Sequence, residues 1–277
     1  DYIYIGSKKI DYKIPGTLSV IQDFVTWDKY KKEKHFPLLT LDELKNNQIT
    51  SNLKFLNIDI NDISSLPIDV INSDSSLVLL CSSEHRIDIH NQKRLFNKLI
   101  EFKCQAPVII SSIYNKGLED LKIQLYSTID IGSLLIEGYG DGIFIVNKNP
   151  DNRKYINSTS FGILQASRRR ISKTEYISCP SCGRTLFDLE DTTAMIRSKT
   201  DHLKGVKIGI MGCIVNGPGE MADADYGYVG TGVGKISLYR GQKMVKSSID
   251  SKFATEALIN LIKEDGVWVE PKKEEVI

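Results

Sequence analysis

The sequence has almost no net charge and no long apolar segment. Its 36 lysine and arginine residues nearly balance 35 aspartate and glutamate residues, which gives a formal net charge of +1. That balance argues against a nucleic-acid coat or a polybasic membrane anchor. The longest apolar runs, such as Leu77–Cys81, have the length of a strand, far below the ~18–20 residues of a membrane-spanning helix. We therefore expect no nucleic-acid partner and no membrane association.

The beginning of the chain lacks both a methionine and a signal peptide. It opens at Asp1 and continues directly into the strand-like residues Tyr2–Ile5. Such a start is typical of a processed or truncated piece. The 277 residues leave room for roughly two domains. Because a chain of this length can bury an adequate core without metal, a metal site here would serve function rather than stability.

Cysteine is scarce and odd in number, which argues against a disulfide framework. The chain has five cysteines. Cys81 and Cys104 stand alone in apolar surroundings, where a buried thiol behaves as a small hydrophobic group. The other three, Cys179, Cys182 and Cys213, cluster in the last third of the chain. This distribution indicates a reducing compartment and metal binding.

The first part of the chain predicts alternating strands and helices. Short apolar runs at Ser75–Ser83, Ala106–Ser112 and Ser133–Glu137 predict strands. Between them, His90–Cys104 and Gly117–Ile129 predict helices. The apolar stripe of the first of these helices consists of Leu95, Leu99 and Phe102, widened by Phe96 and Ile100. Strands and helices that alternate every 25–30 residues or so indicate right-handed crossovers and a parallel sheet, and thus the α/β class.

The last third has a different character, because glycine, cysteine and proline become frequent after Ser178. A short helix is expected before it, at Phe161–Arg170, ending in three arginines. After it, Val206–Met211 predicts a strand, and two further runs predict a hairpin around Arg240–Gln242. The final element is an amphipathic helix at Ser251–Lys263 with Ser251 as its N-cap.

A pair of cysteines with a two-residue gap marks the candidate site. Cys179 and Cys182 can present both thiolates from one tight loop to a metal or a cluster. Zinc sites and redox dithiols use the same spacing. A structural zinc site needs four Cys or His ligands, and a redox dithiol has no use for Cys213. Three thiolates, with the fourth position left to another ligand, favour an iron–sulfur cluster, and zinc or a dithiol remain the alternatives.

The third cysteine begins a glycine- and proline-rich segment that ends in a carboxylate. Gly217, Pro218 and Gly219 predict a rigid turn whose exposed N–H groups can donate to cluster sulfides or to an anion. Glu220 follows Cys213 by seven residues and is a candidate oxygen ligand. The alternative for this residue is a surface glutamate at the N-terminus of a helix.

Three other polar side chains are candidates for substrate binding. The guanidinium groups of Arg168 and Arg170 have the forked geometry that suits phosphate oxygens. A solvated basic helix end is the alternative for both. Asn216 is a candidate hydrogen-bond donor to substrate, with a structural role in the turn as its alternative.

Two sequence blocks closely resemble the 4-hydroxy-3-methylbut-2-enyl diphosphate synthase family. They are YISCPSCGRT at residues 176–185 and GIMGCIVNGPGE at residues 209–220, and the likeness continues to Trp268. Upstream, Thr159–Gln165 and Gly138–Gly142 are similar to the long, three-domain form found in plastid-bearing organisms and some bacteria. Residues from about 75 onward fit this pattern well, whereas residues 1–74 fit it only weakly.

The resemblance implies a division into two domains. Residues 1–172 are expected to form a parallel-sheet α/β insert domain with a linker, and residues 173–277 a smaller α+β domain with a 4Fe–4S cluster. The N-terminal TIM barrel of the family, which supplies much of its diphosphate pocket, is expected to be missing from this chain. The chain would then supply the cluster-bearing half of the enzyme.

The family's reaction is the reductive ring opening and deoxygenation of 2-C-methyl-D-erythritol 2,4-cyclodiphosphate in isoprenoid biosynthesis (the methylerythritol phosphate pathway). Ferredoxin or flavodoxin would donate the electrons, in the stroma of a plastid-type organelle such as an apicoplast or chloroplast, or alternatively in a bacterial cytoplasm. By similarity, Cys179, Cys182 and Cys213 bind three irons and Glu220 binds the fourth. Because a carboxylate exchanges more readily than a thiolate, Glu220 can yield its place to a substrate oxygen and is the expected catalytic residue. The alternative function is a non-catalytic scaffold that carries zinc or a cluster.

Overall fold

The structure, a computed structural model of the chain, describes residues 1–82, 89–114, 117–147 and 152–271. The chain divides into two compact units, Asp1–Arg170 and Ile171–Ile277. Each unit has its own sheet and its own hydrophobic core.

Seven parallel strands form the sheet of the first unit, and their spatial order is the order of the chain. Each connection therefore leads to the next strand in the same direction across the sheet. A parallel sheet with alternating helices confirms the predicted α/β class. The strands are β1 Tyr2–Gly6, β2 Ser19–Asp23, β3 His35–Leu39, β4 Lys54–Asp59, β5 Leu77–Ser82, β6 Val108–Tyr114 and β7 Gly142–Asn147.

Helical segments follow six of these strands and cover one face of the sheet. Leu56, Leu79 and Leu134 are fully buried in the core between the sheet and the helices. The helices are α1 Phe24–Tyr30, α2 Leu41–Asn46, α3 Ile68–Ser73, α4 Ile89–Glu101, α5 Asp120–Ser127, α6 Ser133–Ile136 and α7 Arg153–Ala166, with a 3-10 turn at Ile60–Ser65 and a π turn at Thr128–Gly132.

Aromatic rings line the other face of this sheet and show that the sheet is strongly curled. The ring of Tyr2 in β1 lies 5.2 Å from that of Phe55 in β4, measured between centroids. The ring of Tyr4 lies 6.1 Å from that of Phe144 in β7. Because β1 and β7 are the two edges of the sheet, the second contact means that the edges approach each other.

One predicted strand of the first unit is wrong. Ser133–Glu137 lies at the end of a continuous helical stretch that starts at Asp120, and the seventh strand is Gly142–Asn147. A short apolar run looks the same in a buried strand and a buried helix, so the sequence pattern could not separate the two. Ile100 was also expected to be in the apolar stripe of α4, but it lies at the edge of that stripe and is 63% exposed.

The helix expected at Phe161–Arg170 is displaced toward the N-terminus. It runs from Arg153 to Ala166, and the three arginines follow its end. The strand expected at Ser75–Ser83 is confirmed as β5, and the helix expected at His90–Cys104 is confirmed as α4.

The second unit contains a five-stranded mixed sheet in the order β12-β11-β10-β9-β8. Strands β8, β9 and β10 are parallel, and the hairpin strands β11 and β12 are antiparallel to their neighbours. The hairpin expected around Arg240–Gln242 is confirmed. The strands are β8 Glu175–Ser178, β9 Lys207–Met211, β10 Tyr226–Gly232, β11 Lys235–Arg240 and β12 Lys243–Asp250.

Two helices, α8 Leu189–Thr200 and α10 Ser251–Glu264, cover one face of this sheet. The final helix is confirmed, although its N-cap is Asp250, whose carboxylate accepts the N–H of Lys252 at 3.2 Å. The segment after β9, including the one-turn helix α9 Gly217–Glu220, packs on the opposite face. Among the described residues of both units, no helix is long and apolar enough to span a membrane.

Candidate metal centre

Cys179 and Cys213 lie at the same edge of the second sheet. Cys179 follows the last residue of β8, and Cys213 comes two residues after the end of β9. These strands are parallel neighbours, with Ser178 opposite Ile210, so their carboxyl ends lie side by side. The backbone N–H of Gly212 donates a hydrogen bond to the sulfur of Cys179, 3.3 Å away. Strand pairing thus brings the segments of Cys179 and Cys213 side by side.

Cys182 lies in an exposed turn between β8 and α8. The turn is closed by a hydrogen bond of 2.9 Å from the N–H of Thr185 to the carbonyl of Cys182, and Ser181 before it adopts the left-handed conformation with φ of 67°. Hydrogen bonds from the backbone N–H and the guanidinium of Arg184 lower the pKa of the Cys182 thiol. A thiol that ionises readily is a better metal ligand, because the thiolate is the ligating form.

Arg184 provides the positive charge of this site. Its hydrogen bond to Cys182 raises the pKa of the guanidinium, and the charges of Cys182, Cys213 and Glu220 raise it further. Arg184 therefore lies within electrostatic reach of side chains from both predicted ligand segments. The sequence reasoning missed this residue, although it stands two positions after the second cysteine of the motif.

Glu220 closes the one-turn helix α9. The carbonyl of Asn216 accepts the N–H groups of Gly219 and Glu220, each at 3.0 Å. The predicted turn at Gly217–Gly219 is therefore helical, and the side chains of Asn216 and Glu220 are exposed. An exposed carboxylate is accessible to a metal centre, and the role of Glu220 as a ligand stays a prediction.

Close backbone packing holds the segment that leads from β9 into Cys213. Gly212 and Gly230 are both buried. A Cβ atom on Gly230 would lie 2.4 Å from the carbonyl oxygen of Gly212, and one on Gly217 would lie 2.7 Å from the Cβ of Met211. Only glycine fits at position 230, because no side-chain movement relieves a collision with a backbone carbonyl, and the Met211 Cβ beside Gly217 cannot rotate away either. The sequence showed these glycines without indicating what they contact.

The two candidate arginines belong to the first unit. Arg170 forms an ion pair with the carboxylate of Asp1, and its guanidinium lies 5.4 Å from the centroid of the Phe161 ring. Arg168 follows α7 with a positive φ of 56°. Their role toward a diphosphate, like that of Asn216 in the second unit, stays a prediction.

The two remaining cysteines are part of the first unit's core, as their apolar surroundings indicated. Cys81 in β5 is buried, and burial raises the pKa of its thiol. Cys104 is half-buried and packs against the same core.

The donor atoms of the second unit fit an iron–sulfur cluster. In the part of the chain that the structure describes, no three His, Cys, Asp or Glu side chains are arranged around a single metal ion. A cluster has a different requirement, because each of its ligands binds a separate iron. The backbone N–H and the guanidinium of Arg184 stabilise the thiolate of Cys182, and the N–H of Gly212 donates to the sulfur of Cys179. These features suit cysteines that ligate metal.

A family model places the second unit within a known class of domains. Residues 175–264 match the GcpE protein C-terminal domain. This range contains the three cysteines, Glu220 and all five strands of the second sheet. The second unit is thus a domain of the GcpE C-terminal type.

Sequence relatives extend this assignment over nearly the whole chain. A 4-hydroxy-3-methylbut-2-en-1-yl diphosphate synthase (flavodoxin) of Parabacteroides distasonis is 44% identical over 270 residues, covering 97% of this chain and 43% of the relative. The corresponding enzyme of Porphyromonas gingivalis is 40% identical over 278 residues, covering 96% of this chain and 45% of the relative. The chloroplastic 4-hydroxy-3-methylbut-2-en-1-yl diphosphate synthase (ferredoxin) of Arabidopsis thaliana is 48% identical over 203 residues, covering 72% of this chain and 27% of the relative.

These matches confirm the resemblance and correct its extent. The chain belongs to the family of 4-hydroxy-3-methylbut-2-en-1-yl diphosphate synthases. An alignment that covers 97% of the chain includes the residues before 75, where the motifs alone indicated only a weak fit. The chain spans less than half the length of the curated relatives it matches.

Proposed function

We propose that this chain is the cluster-bearing part of an enzyme that reductively opens 2-C-methyl-D-erythritol 2,4-cyclodiphosphate. The product would be 4-hydroxy-3-methylbut-2-enyl diphosphate, in the methylerythritol phosphate pathway of isoprenoid biosynthesis. The observation that carries this proposal is the match of nearly the whole chain to synthases with this name. The convergence of two cysteine segments at one edge of the second sheet supports it.

Within this enzyme, residues 171–277 are the cluster domain. Cys179, Cys182, Cys213 and Glu220 would hold a 4Fe–4S cluster, which supplies electrons for removal of the substrate oxygen. The guanidinium of Arg184 offsets part of the negative charge that the thiolates and Glu220 bring to the site. Because α9 leaves the Glu220 side chain exposed, this carboxylate can move aside to admit a substrate oxygen.

The partners follow from the same assignment. A reduced flavodoxin or ferredoxin would donate the electrons, since the related enzymes carry these donors in their names. A diphosphate is the substrate, and Arg168, Arg170 and Asn216 are candidate contacts for it. The compartment is a plastid stroma or, alternatively, a bacterial cytoplasm, because the relatives include both chloroplastic and bacterial enzymes.

Anaerobic metal analysis tests the proposal directly. The chain, purified or reconstituted without oxygen, should be brown and contain about four irons and four sulfides. Its reduced form should give the paramagnetic resonance signal of a 4Fe–4S cluster. A colourless protein that contains zinc and no sulfide would contradict the proposal and favour the metal-bearing scaffold.

A further inference from the structure

Thr185 contacts both of the segments that carry the cysteines. Its side-chain oxygen accepts the backbone N–H of Cys182 at 3.0 Å, while its own N–H donates to the Cys182 carbonyl at 2.9 Å. The hydroxyl also lies 3.2 Å from that of Ser181. These bonds fix the backbone of the turn from which the Cys182 thiol projects.

The same side chain lies against the segment that precedes Cys213. A Cβ atom built on Gly212 would come within 2.7 Å of the Thr185 methyl carbon and 2.8 Å of its hydroxyl oxygen. The next residue, Leu186, donates its N–H to the carbonyl of Gly212 at 3.0 Å. Thr185 therefore packs directly on the backbone that positions the third cysteine.

Gly212, which contacts Thr185, also forms a hydrogen bond with the first cysteine, Cys179. Its N–H is the donor to the Cys179 sulfur, at 3.3 Å. Gly212 is buried and its bond to the Cys179 sulfur is partly buried, whereas the bond from the Cys182 N–H to Thr185 is exposed. A short chain of contacts from one threonine thus reaches all three cysteines.

We propose that Thr185 is a positioning residue of the metal centre, whose hydroxyl fixes the Cys182 turn and whose methyl group fixes the Gly212 backbone beside Cys179 and Cys213. The role rests on the proposed function, in which these cysteines hold a 4Fe–4S cluster. Three thiols from two separate segments can bind one rigid cluster only if the segments keep their mutual spacing. Hydrogen bonds near ligand sulfurs also influence the reduction potential of such a cluster.

Two substitutions separate the two functions of the side chain. Thr185→Val keeps the branched shape against Gly212 but cannot accept the Cys182 N–H, whereas Thr185→Ser keeps the hydroxyl and loses only the methyl group. In the reconstituted chain, Thr185→Val should lose its cluster to an iron chelator about tenfold faster than the unmodified protein. Its midpoint potential should also shift, because the Cys182 N–H loses its acceptor and the turn no longer holds its amide groups at the same distances from the ligand sulfurs. Thr185→Ser should restore the potential.

A control and a second variant make the test independent of misfolding. Thr231→Val removes a hydroxyl whose contacts, to Ser237 and Lys235, lie within the β10–β11 hairpin, and it should leave both readouts unchanged. Gly212→Ala acts on the other side of the same contact and should also accelerate cluster loss. Gly162→Ala in α7 of the first unit, where nothing lies within 4 Å of the new atom, should not.

The outcomes separate this role from the proposed function. An unmodified chain that binds no iron and sulfide overturns the cluster assignment and the role of Thr185 with it. A loaded chain in which Thr185→Val and Gly212→Ala leave the chelation rate and the potential unchanged overturns only the role of Thr185.

Discussion

Glu220 shares its local setting with a second glutamate, and this gives a matched comparison. Glu220 is in the first turn of α9, and Glu190 is in the first turn of α8. Both side chains are exposed. If Glu220 were only a surface residue, removing either carboxylate would have the same effect.

We expect Glu220→Ala to assemble a cluster on the three thiolates but to release it at least about tenfold faster than the unmodified chain. An enzyme with the complete length of its relatives should lose turnover with this substitution. Glu190→Ala should leave both properties unchanged. Iron release to a chelator and product formation with a reduced donor measure the two effects. Equal behaviour of the two variants would remove Glu220 from the ligand set.

Candidate ligand residues could be proposed from the sequence, but the residues that contact them could not. Cys179 and Cys182 were identifiable from their spacing, and Cys213 from the chemistry that a cluster requires. Arg184 and Thr185 were not, because the conformation of the turn that brings them to Cys182 is not evident from the sequence, and the contact of Thr185 with Gly212 arises only after β8 and β9 pair. Spacing along the chain carries no information on which side chain faces the neighbouring strand.

At the scale of elements, the stretch from Asp120 to Ile136 shows where a sequence pattern is ambiguous. Its last part, Ser133–Ile136, is apolar and short, as a buried strand would be. The helix continues through the π turn at Thr128–Gly132 because Ile131, Leu134 and Leu135 are all buried in the first core. Alternating strands and helices were predictable from periodicity, whereas the identity of a fully buried short run was not.

Gly132 offers a way to stabilise this helical stretch. Its backbone is helical, with φ of −61°, and an added Cβ would lie 3.5 Å from a methyl carbon of Ile163, an ordinary contact. Gly132→Ala should therefore raise the free energy of unfolding by about 0.5–1 kcal/mol, because alanine restricts the unfolded chain. Denaturant unfolding monitored by circular dichroism measures the change.

Gly140 is the opposite case in the same unit. It has a positive φ of 78°, and a Cβ there would lie 2.6 Å from the Cδ1 atom of Ile110. Gly140→Ala should destabilise the protein by more than about 1 kcal/mol, since it combines backbone strain with a steric collision. A stabilised Gly140→Ala or a destabilised Gly132→Ala would contradict the packing described for these two positions.

At the scale of the whole molecule, each unit encloses its own core. Leu79 is fully buried in the first core, and Leu258 is fully buried in the second. Replacing either by alanine should cost about 2–5 kcal/mol of local stability, through lost burial and the cavity that remains. Amide hydrogen exchange resolves where the loss occurs.

We expect Leu79→Ala to accelerate exchange at the amides of β4, β5 and β6, and Leu258→Ala to accelerate it in β9, β10 and β11. The exposed Val233, at the turn between β10 and β11, provides a control, because Val233→Ala should change neither pattern. Equal acceleration in both sheets from one core substitution would contradict two separate cores.

The close approach of Gly230 to the Gly212 carbonyl has a consequence for how the centre is maintained. The backbone position of Cys213 is fixed by the pairing of β9 with β10 and does not depend on the iron–sulfur cluster that the residue would bind. If an oxidant destroyed the proposed cluster, the backbone segment that carries Cys213 would therefore keep its position. Rebuilding the cluster would then require a new supply of iron and sulfide but no refolding of the chain.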